Sequence, residues 1–254
     1  PSHALTPNVT DNLVSLDVTG CGLRALPIEV GACRQLQSLN ASNNSLASLP
    51  TALLSCQLTT LHASNNKMAC HFLAEDFSSL AVRGSPLASS LKDLDLRRNT
   101  LDSVPAWVFE LSESLHSLAL GGNAIKRVGR AAHERWGSLS GLGFIDLSNC
   151  RLEDLGNLPV AAAQSLKLLR SLDLSNNDLR QIPPELGLVE TLNALQLNGN
   201  PQKTVRMAIL SQGTPAILSY LKNRLPEGYR LPSQEPPQLQ QQHQQQHQQQ
   251  HQQQ

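Results

Sequence analysis

Apolar and polar residues alternate in short bursts along this chain, and the bursts recur. In SLDLSNNDLRQIP, residues 171–183, Leu172 and Leu174 flank Asp173, and Leu179 follows a single asparagine, Asn177. Alternation with period two predicts a strand with one buried face, so the residues between the leucines must look outward. The phrase L-x-x-L-x-L-x-x-N-x-L aligns eight times, from Leu13, Leu36, Leu58, Leu91, Leu115, Leu142, Leu169 and Leu192. The ninth position is Asn in six copies, with Cys21 and Cys150 in the other two. Where the chain turns inward after a strand, backbone groups lose their strand partners. An amide side chain both donates and accepts, so it can join one coil to the next. Cys21 and Cys150 are expected to stand in for it as small, buried, weakly polar residues.

A second phrase, L-x-x-[LVI]-P, follows in four copies: Leu23–Pro27, Leu46–Pro50, Leu101–Pro105 and Leu179–Pro183. Beyond it, segments such as AWVFELSESL and PELGLVETL have the spacing of a short helix or 3-10 turn. The starts lie 23, 22, 33, 24, 27, 27 and 23 residues apart, so the three long spacings place insertions away from the strand column. This pattern resembles the leucine-rich repeat family, whose units run about 20–29 residues. The 23-residue unit with its proline phrase resembles the intracellular, Ras-associated type. The resemblance implies an α/β solenoid: a right-handed horseshoe, with a parallel sheet on the concave face and short helices or 3-10 turns on the convex face. The run ALQLNGNPQKTVRMAIL and GTPAILSYLKNRLP, within residues 194–226, resembles the C-terminal end of the leucine-rich repeat-containing protein 40 family. That implies an intracellular, non-enzymatic protein with further repeats upstream, and it brings no catalytic or ligand-binding residues.

Four stretches follow from the pattern. Residues 1–12 are a polar stub too short to cap a solenoid, residues 13–202 are the repeats, 203–228 a helical cap, and 229–254 a disordered Pro/Gln/His-rich tail. In the cap, Val205, Ala208 and Ile209 have helical spacing. Gly213 is placed to end that helix in a left-handed conformation, and Thr214 to act as N-cap ahead of Pro215. Ile217, Leu218, Leu221 and Leu225 then fall on one face of a last helix.

Composition narrows the function. Twenty basic residues balance twenty acidic ones, so no global field draws in nucleic acid or an anionic membrane. No run of 18 apolar residues is present to span a bilayer. Aromatics make up only 3%, which predicts an aliphatic core. Five scattered cysteines with no C-x-x-C fit reduced thiols and a cytoplasmic location, with nuclear or ciliary placement as alternatives. The sequons at Asn8, Asn40 and Asn43 are what a chain rich in Asn and Ser contains by chance. No phosphate loop, zinc-protease or nucleophile-elbow phrase occurs. His133–Glu134 lacks a second histidine at the required offset, and His243, His247 and His251 read as a solvated glutamine-rich tail rather than a metal site. No enzyme activity, cofactor or metal is expected.

What remains is the polar wall. Its fifth-position residues include Asp17, His62, Asp95, Asp146 and Asp173, and the last three of these make an interrupted acidic stripe that could meet a basic or amide-bearing peptide. Repeat four concentrates Lys92, Asp93, Asp95, Arg97 and Arg98. Repeat six offers Phe144 as an aromatic anchor, with His116 and Arg170 nearby on neighbouring repeats. These twelve residues are the candidate partner-binding set of a monomeric protein-interaction scaffold, part of a longer chain. The rivals are a regulatory subunit or adaptor in a phosphatase or small GTPase pathway, a receptor-type ligand-binding ectodomain, and a structural component of a large assembly.

Overall fold

The computed structural model of the chain describes residues 12–70, 77, 79–112, 114–129 and 135–232. Asn8, His133, Glu134, His243, His247 and His251 lie outside them. At the third position of each repeat a three-residue strand begins. The strands are β1 Ser15–Asp17, β2 Ser38–Asn40, β3 Thr60–His62, β4 Asp93–Asp95, β5 Ser117–Ala119, β6 Phe144–Asp146, β7 Ser171–Asp173 and β8 Ala194–Gln196. All eight pair in parallel and in sequence order. Leu61 faces Leu94 across the 33-residue spacing as squarely as Leu172 faces Leu195 across the 23-residue one. The insertions therefore leave the register untouched. From Leu39 to Leu195 this central apolar row is buried, as period-two alternation requires.

Each parallel pair needs a crossover, and the rest of the coil supplies it. On the convex side the crossovers carry 3-10 helices at Ile28–Ala32, Thr51–Ser55, Ala106–Glu110, Trp136–Ser138 and Pro184–Leu188. Four of these, at Ile28, Thr51, Ala106 and Pro184, start directly after the proline of the second phrase. The longer insertions add α1 Ser79–Val82, α2 Pro86–Ser90 and α3 Leu158–Gln164. Ser85 starts α2 by accepting the Ala88 amide on its hydroxyl (3.2 Å), with Pro86 next in the chain.

The core is not purely aliphatic. Trp107, Trp136, Phe77 and Phe109 are its largest fully buried side chains. Phe77 meets Trp107 edge to face at 5.3 Å between ring centres, and Phe109 meets Trp136 at 5.4 Å. Phe77 and Trp136 come from inserted stretches, and Trp107 and Phe109 from the 3-10 helix Ala106–Glu110 that packs between them.

The ninth-position asparagines do join the coils. Asn66 donates to the carbonyls of Ala41 (3.0 Å) and Ala63 (3.1 Å) and accepts the Leu46 amide (2.9 Å). Asn99, Asn123, Asn177 and Asn200 repeat the arrangement. Cys150 takes the place only in part. Its thiol approaches the Leu120 carbonyl at 3.3 Å, but it brings no oxygen acceptor, and among the described residues none serves the Ile125 amide. Burial pushes its thiol up to about 11, so it is an inert core residue and not a nucleophile. Cys150→Asn is expected to supply the missing acceptor and raise the unfolding free energy by about 1 kcal/mol. Urea titration checks this, and an unchanged midpoint would mean that the amide already has a partner. Cys21 departs from the expectation, because it is exposed. Among the described residues no earlier coil stacks on its side, and its thiol reaches only the Thr19 carbonyl at 3.7 Å.

A further column runs through the eighth positions. Gly20, Asn43, Asn65, Arg98, Gly122, Asn149, Asn176 and Gly199 all have positive φ. This left-handed step swings the chain off the strand so that the ninth residue points inward. Glycine and asparagine suit it, and Arg98 is the exception.

At the far end α4 Met207–Leu210 and α5 Thr214–Lys222 close over β8. Val205 is buried in the core ahead of α4 and is not one of its residues. Gly213 does take positive φ, but Thr214 does not cap α5 with its side chain. Its buried hydroxyl instead accepts the Leu195 amide at 2.9 Å, on the strand edge where the sheet stops. Ile217 and Leu221 cover the core beneath it.

Candidate functional site

Two rows of side chains stand on the concave wall, fixed by strand register. The first row lies at the strand beginnings and contains Lys92, Asp93, His116, Phe144 and Arg170. Lys92 and His116 are exposed, and Arg170 donates to the Thr191 carbonyl at 3.2 Å. His116 Nδ1 lies 2.5 Å from the Ser114 carbonyl. Asp93 meets His62 Nε2 from the neighbouring strand at 3.1 Å. Phe144 is 38% exposed, with small register neighbours, Ser117 and Ser171. An aromatic among serines is left standing clear of the wall.

The second row lies at the strand ends and contains Asp95, Arg97, Arg98, Asp146 and Asp173. Asp17 continues it at the far edge on β1, well removed from the others. Here the acidic stripe is not simply on display. Asp17, Asn40, Asp95, Asp146 and Asp173 each accept the backbone amide two residues on, at 2.8–3.2 Å. This Asx turn ends the strand, and it explains why D-x-T, N-x-S and D-x-S recur at these positions. Asp95 and Asp146 are also buried.

Asp95 is further committed to Arg97, which donates from Nε at 3.0 Å and from Nη2 at 2.8 Å. Burial works to raise the Asp95 carboxyl. The hydrogen bonds and charge of Arg97 outweigh that and hold it below its ordinary 3.8. A depressed native value makes the pair's contribution to stability complete above the ordinary value and lost as pH falls through the native one.

Between the charged fourth repeat and the acidic sixth, Ala119 and Gly121 leave a depression. A Cβ on Gly121 would come within 2.8 Å of the Asp146 carboxylate and the Ser148 hydroxyl, so only glycine allows these to lean across. The polar basin there holds about 630 Å³ and is lined by Arg97, Arg98, Gly121, Gly122, Asp146, Ser148 and three asparagines. A larger cavity of about 1230 Å³ lies off this wall, between the flank of the last repeats and the cap, among Arg180, Ile182, Lys203 and Arg224. Among the described residues no group of three His, Cys, Asp or Glu is placed to hold a metal. No helix there is long and apolar enough to cross a membrane.

The leucine-rich repeat family model matches residues 168–188, the seventh strand and the coil that follows it. The chain is a leucine-rich repeat solenoid. Over 178 residues (66% of the chain) it is 31% identical to leucine-rich repeat serine/threonine-protein kinase 1 of Caenorhabditis elegans, covering 7% of that protein. Over 168 residues (65% of the chain) it is 34% identical to human podocan-like protein 1, covering 30% of it. The solenoid thus spans less than a third of either relative. Among solved structures, the ectodomain of the Arabidopsis receptor kinase HAESA, in complex with an N-terminally extended IDA peptide hormone, superposes with a TM-score of 0.53 and 25% identity. That match covers 69% of this solenoid and 28% of the ectodomain.

Proposed function

We propose that the concave wall binds a partner protein and that the solenoid is a rigid, non-enzymatic scaffold. The observation that carries this reading is Phe144, exposed in a polar wall between serines. Such an aromatic gains by desolvation only when something covers it, and buried aromatics dominate binding energy at interfaces. Lys92, Asp93, His116 and Arg170 form a polar, charged rim around it. Because the wall is a hydrogen-bonded sheet, it is ordered before the partner arrives, which lowers the cost of association. The interaction unit is residues 13–202, closed at one end by residues 203–228.

A cytoplasmic setting is supported by five free cysteines. Two sequon asparagines also have their side chains engaged: Asn40 accepts the Ser42 amide at 3.2 Å, and Asn43 accepts from Asn65 at 2.8 Å. The 3-10 helices after the proline phrase are consistent with the Ras-associated repeat type, and residues 194–226 carry the likeness to the protein 40 family. In that setting the same wall suits a regulatory subunit or adaptor of a phosphatase or small GTPase pathway, and co-purifying catalytic activity would distinguish it. The likeness to the HAESA ectodomain, crystallised with a peptide, favours a second reading in which the ligand is a short extended peptide.

Phe144→Ala and Lys92→Glu are each expected to weaken partner capture tenfold or more, with the melting temperature little changed. Capture equal to wild type in both would remove the wall as the site. Charge reversal at Asp95 is a poor test, because it breaks the pair with Arg97.

A further inference from the structure

Arg98 is placed where local physics does not favour it. The other seven eighth positions are glycine or asparagine, yet Arg98 holds φ +51°. A long side chain in the left-handed region is strained, and such strain persists where surrounding structure or function maintains it. Its stem lies over the next repeat's turn, where a Cβ on Gly122 would come within 3.0 Å of Arg98 Cγ. The guanidinium stands at the basin with no hydrogen bond or ion pair to any described residue. The basin's other cation is committed, while its one carboxylate, Asp146, has no ion pair among the described residues. Arg97 is tied to Asp95, and Asp146 accepts both the amide and the hydroxyl of Ser148 (2.9 and 2.7 Å). Among the described residues Arg98 is therefore the basin's one unpaired cation, held over a glycine turn that keeps the floor open.

We propose that Arg98 receives a carboxylate of an acidic peptide lying across the basin of about 630 Å³, in a fork of charge-assisted hydrogen bonds. This rests on the reading of the concave wall as a binding surface and names the chemistry of what binds there.

The test uses the full chain and three labelled, N-acetylated peptides. They are (Gly-Glu)₄ with an amidated C-terminus, (Gly-Gln)₄ with an amidated C-terminus, and (Gly-Gln)₄ with a free C-terminus. The wild type is expected to prefer a carboxylate-bearing probe over the neutral one, and comparison of the two assigns the carboxylate to side chains or terminus. Arg98→Asn, which installs the residue the other repeats use, is expected to weaken that probe at least tenfold. It is also expected to raise the melting temperature by about 2 °C or more, because the strain is relieved. A purely structural arginine would show the opposite sign in stability. Equal binding of all three probes, equal binding by Arg98→Asn, or a lowered melting temperature would each overturn the proposal. If Phe144→Ala and Lys92→Glu leave capture intact while the probe still depends on Arg98, the wider wall reading fails and the Arg98 site stands. If capture responds and the probe does not, the Arg98 site alone fails.

Discussion

Replacing Asn177 with alanine is expected to lower the unfolding free energy by about 3–5 kcal/mol. Its amide is buried in the middle of the stack. The oxygen accepts the amides of Cys150 (2.8 Å) and Leu152 (3.0 Å), and the nitrogen donates to the carbonyls of Leu147 (2.8 Å) and Leu174 (3.0 Å). Alanine strands two donors and two acceptors at once, each worth about 1–3 kcal/mol when left buried and unpaired. Water entering the gap recovers part of that, which keeps the expected loss below the simple sum. Because neighbouring repeats fold as coupled units, the midpoint of urea unfolding by circular dichroism is the quantity to compare. A shift worth less than about 1 kcal/mol would mean that the asparagine column does not hold the coils together.

Trp136→Ala is expected to cost about 3–5 kcal/mol by a different route. The indole is fully buried on the convex side, in the 3-10 helix Trp136–Ser138, with Phe109 packed against it. Removing it opens a void that the short surrounding turns cannot close, so lost transfer energy and lost packing add. Hydrogen exchange should place the loss on the convex side of the fifth and sixth repeats, while the strand amides of β2–β4 stay protected longer. A void that collapsed without cost would leave exchange unchanged in both regions.

The two substitutions also mark what could and could not be read from residues alone. The strands, their register and the asparagine contacts were legible because every coil meets the same local demands, so eight copies reinforce one pattern. Trp136 escaped that reading because it sits in an inserted stretch with no column to compare, and Trp107 because its place in the 3-10 helix is held by Glu29, Ala52 and Glu185 in the equivalent coils. Cys21 and Cys150 look alike in the alignment, yet one is exposed and the other buried, since burial depends on which coils stack beside them. The fifth-position aspartates were read as display. Their recurring partner two residues on was a visible sign of strand-ending turns, and for Asp95 and Asp146 burial confirms that part of their role is internal. Phe144 and the exposed charges of the first row keep the character that the alternation gave them. The left-handed column was also available in the sequence, as a run of glycines and asparagines broken by Arg98, but its meaning needed the backbone angles.

Site-specific photo-crosslinking tests the central claim most directly. A photoreactive phenylalanine analogue is placed at Phe144 on the wall and, in a second protein, at Ile28, which is 72% exposed on the convex 3-10 helix. Illumination in cell extract should yield discrete protein adducts from position 144 and none of the same species from position 28. Adducts from Ile28 with silence at Phe144 would put the partner on the opposite face and contradict the scaffold reading.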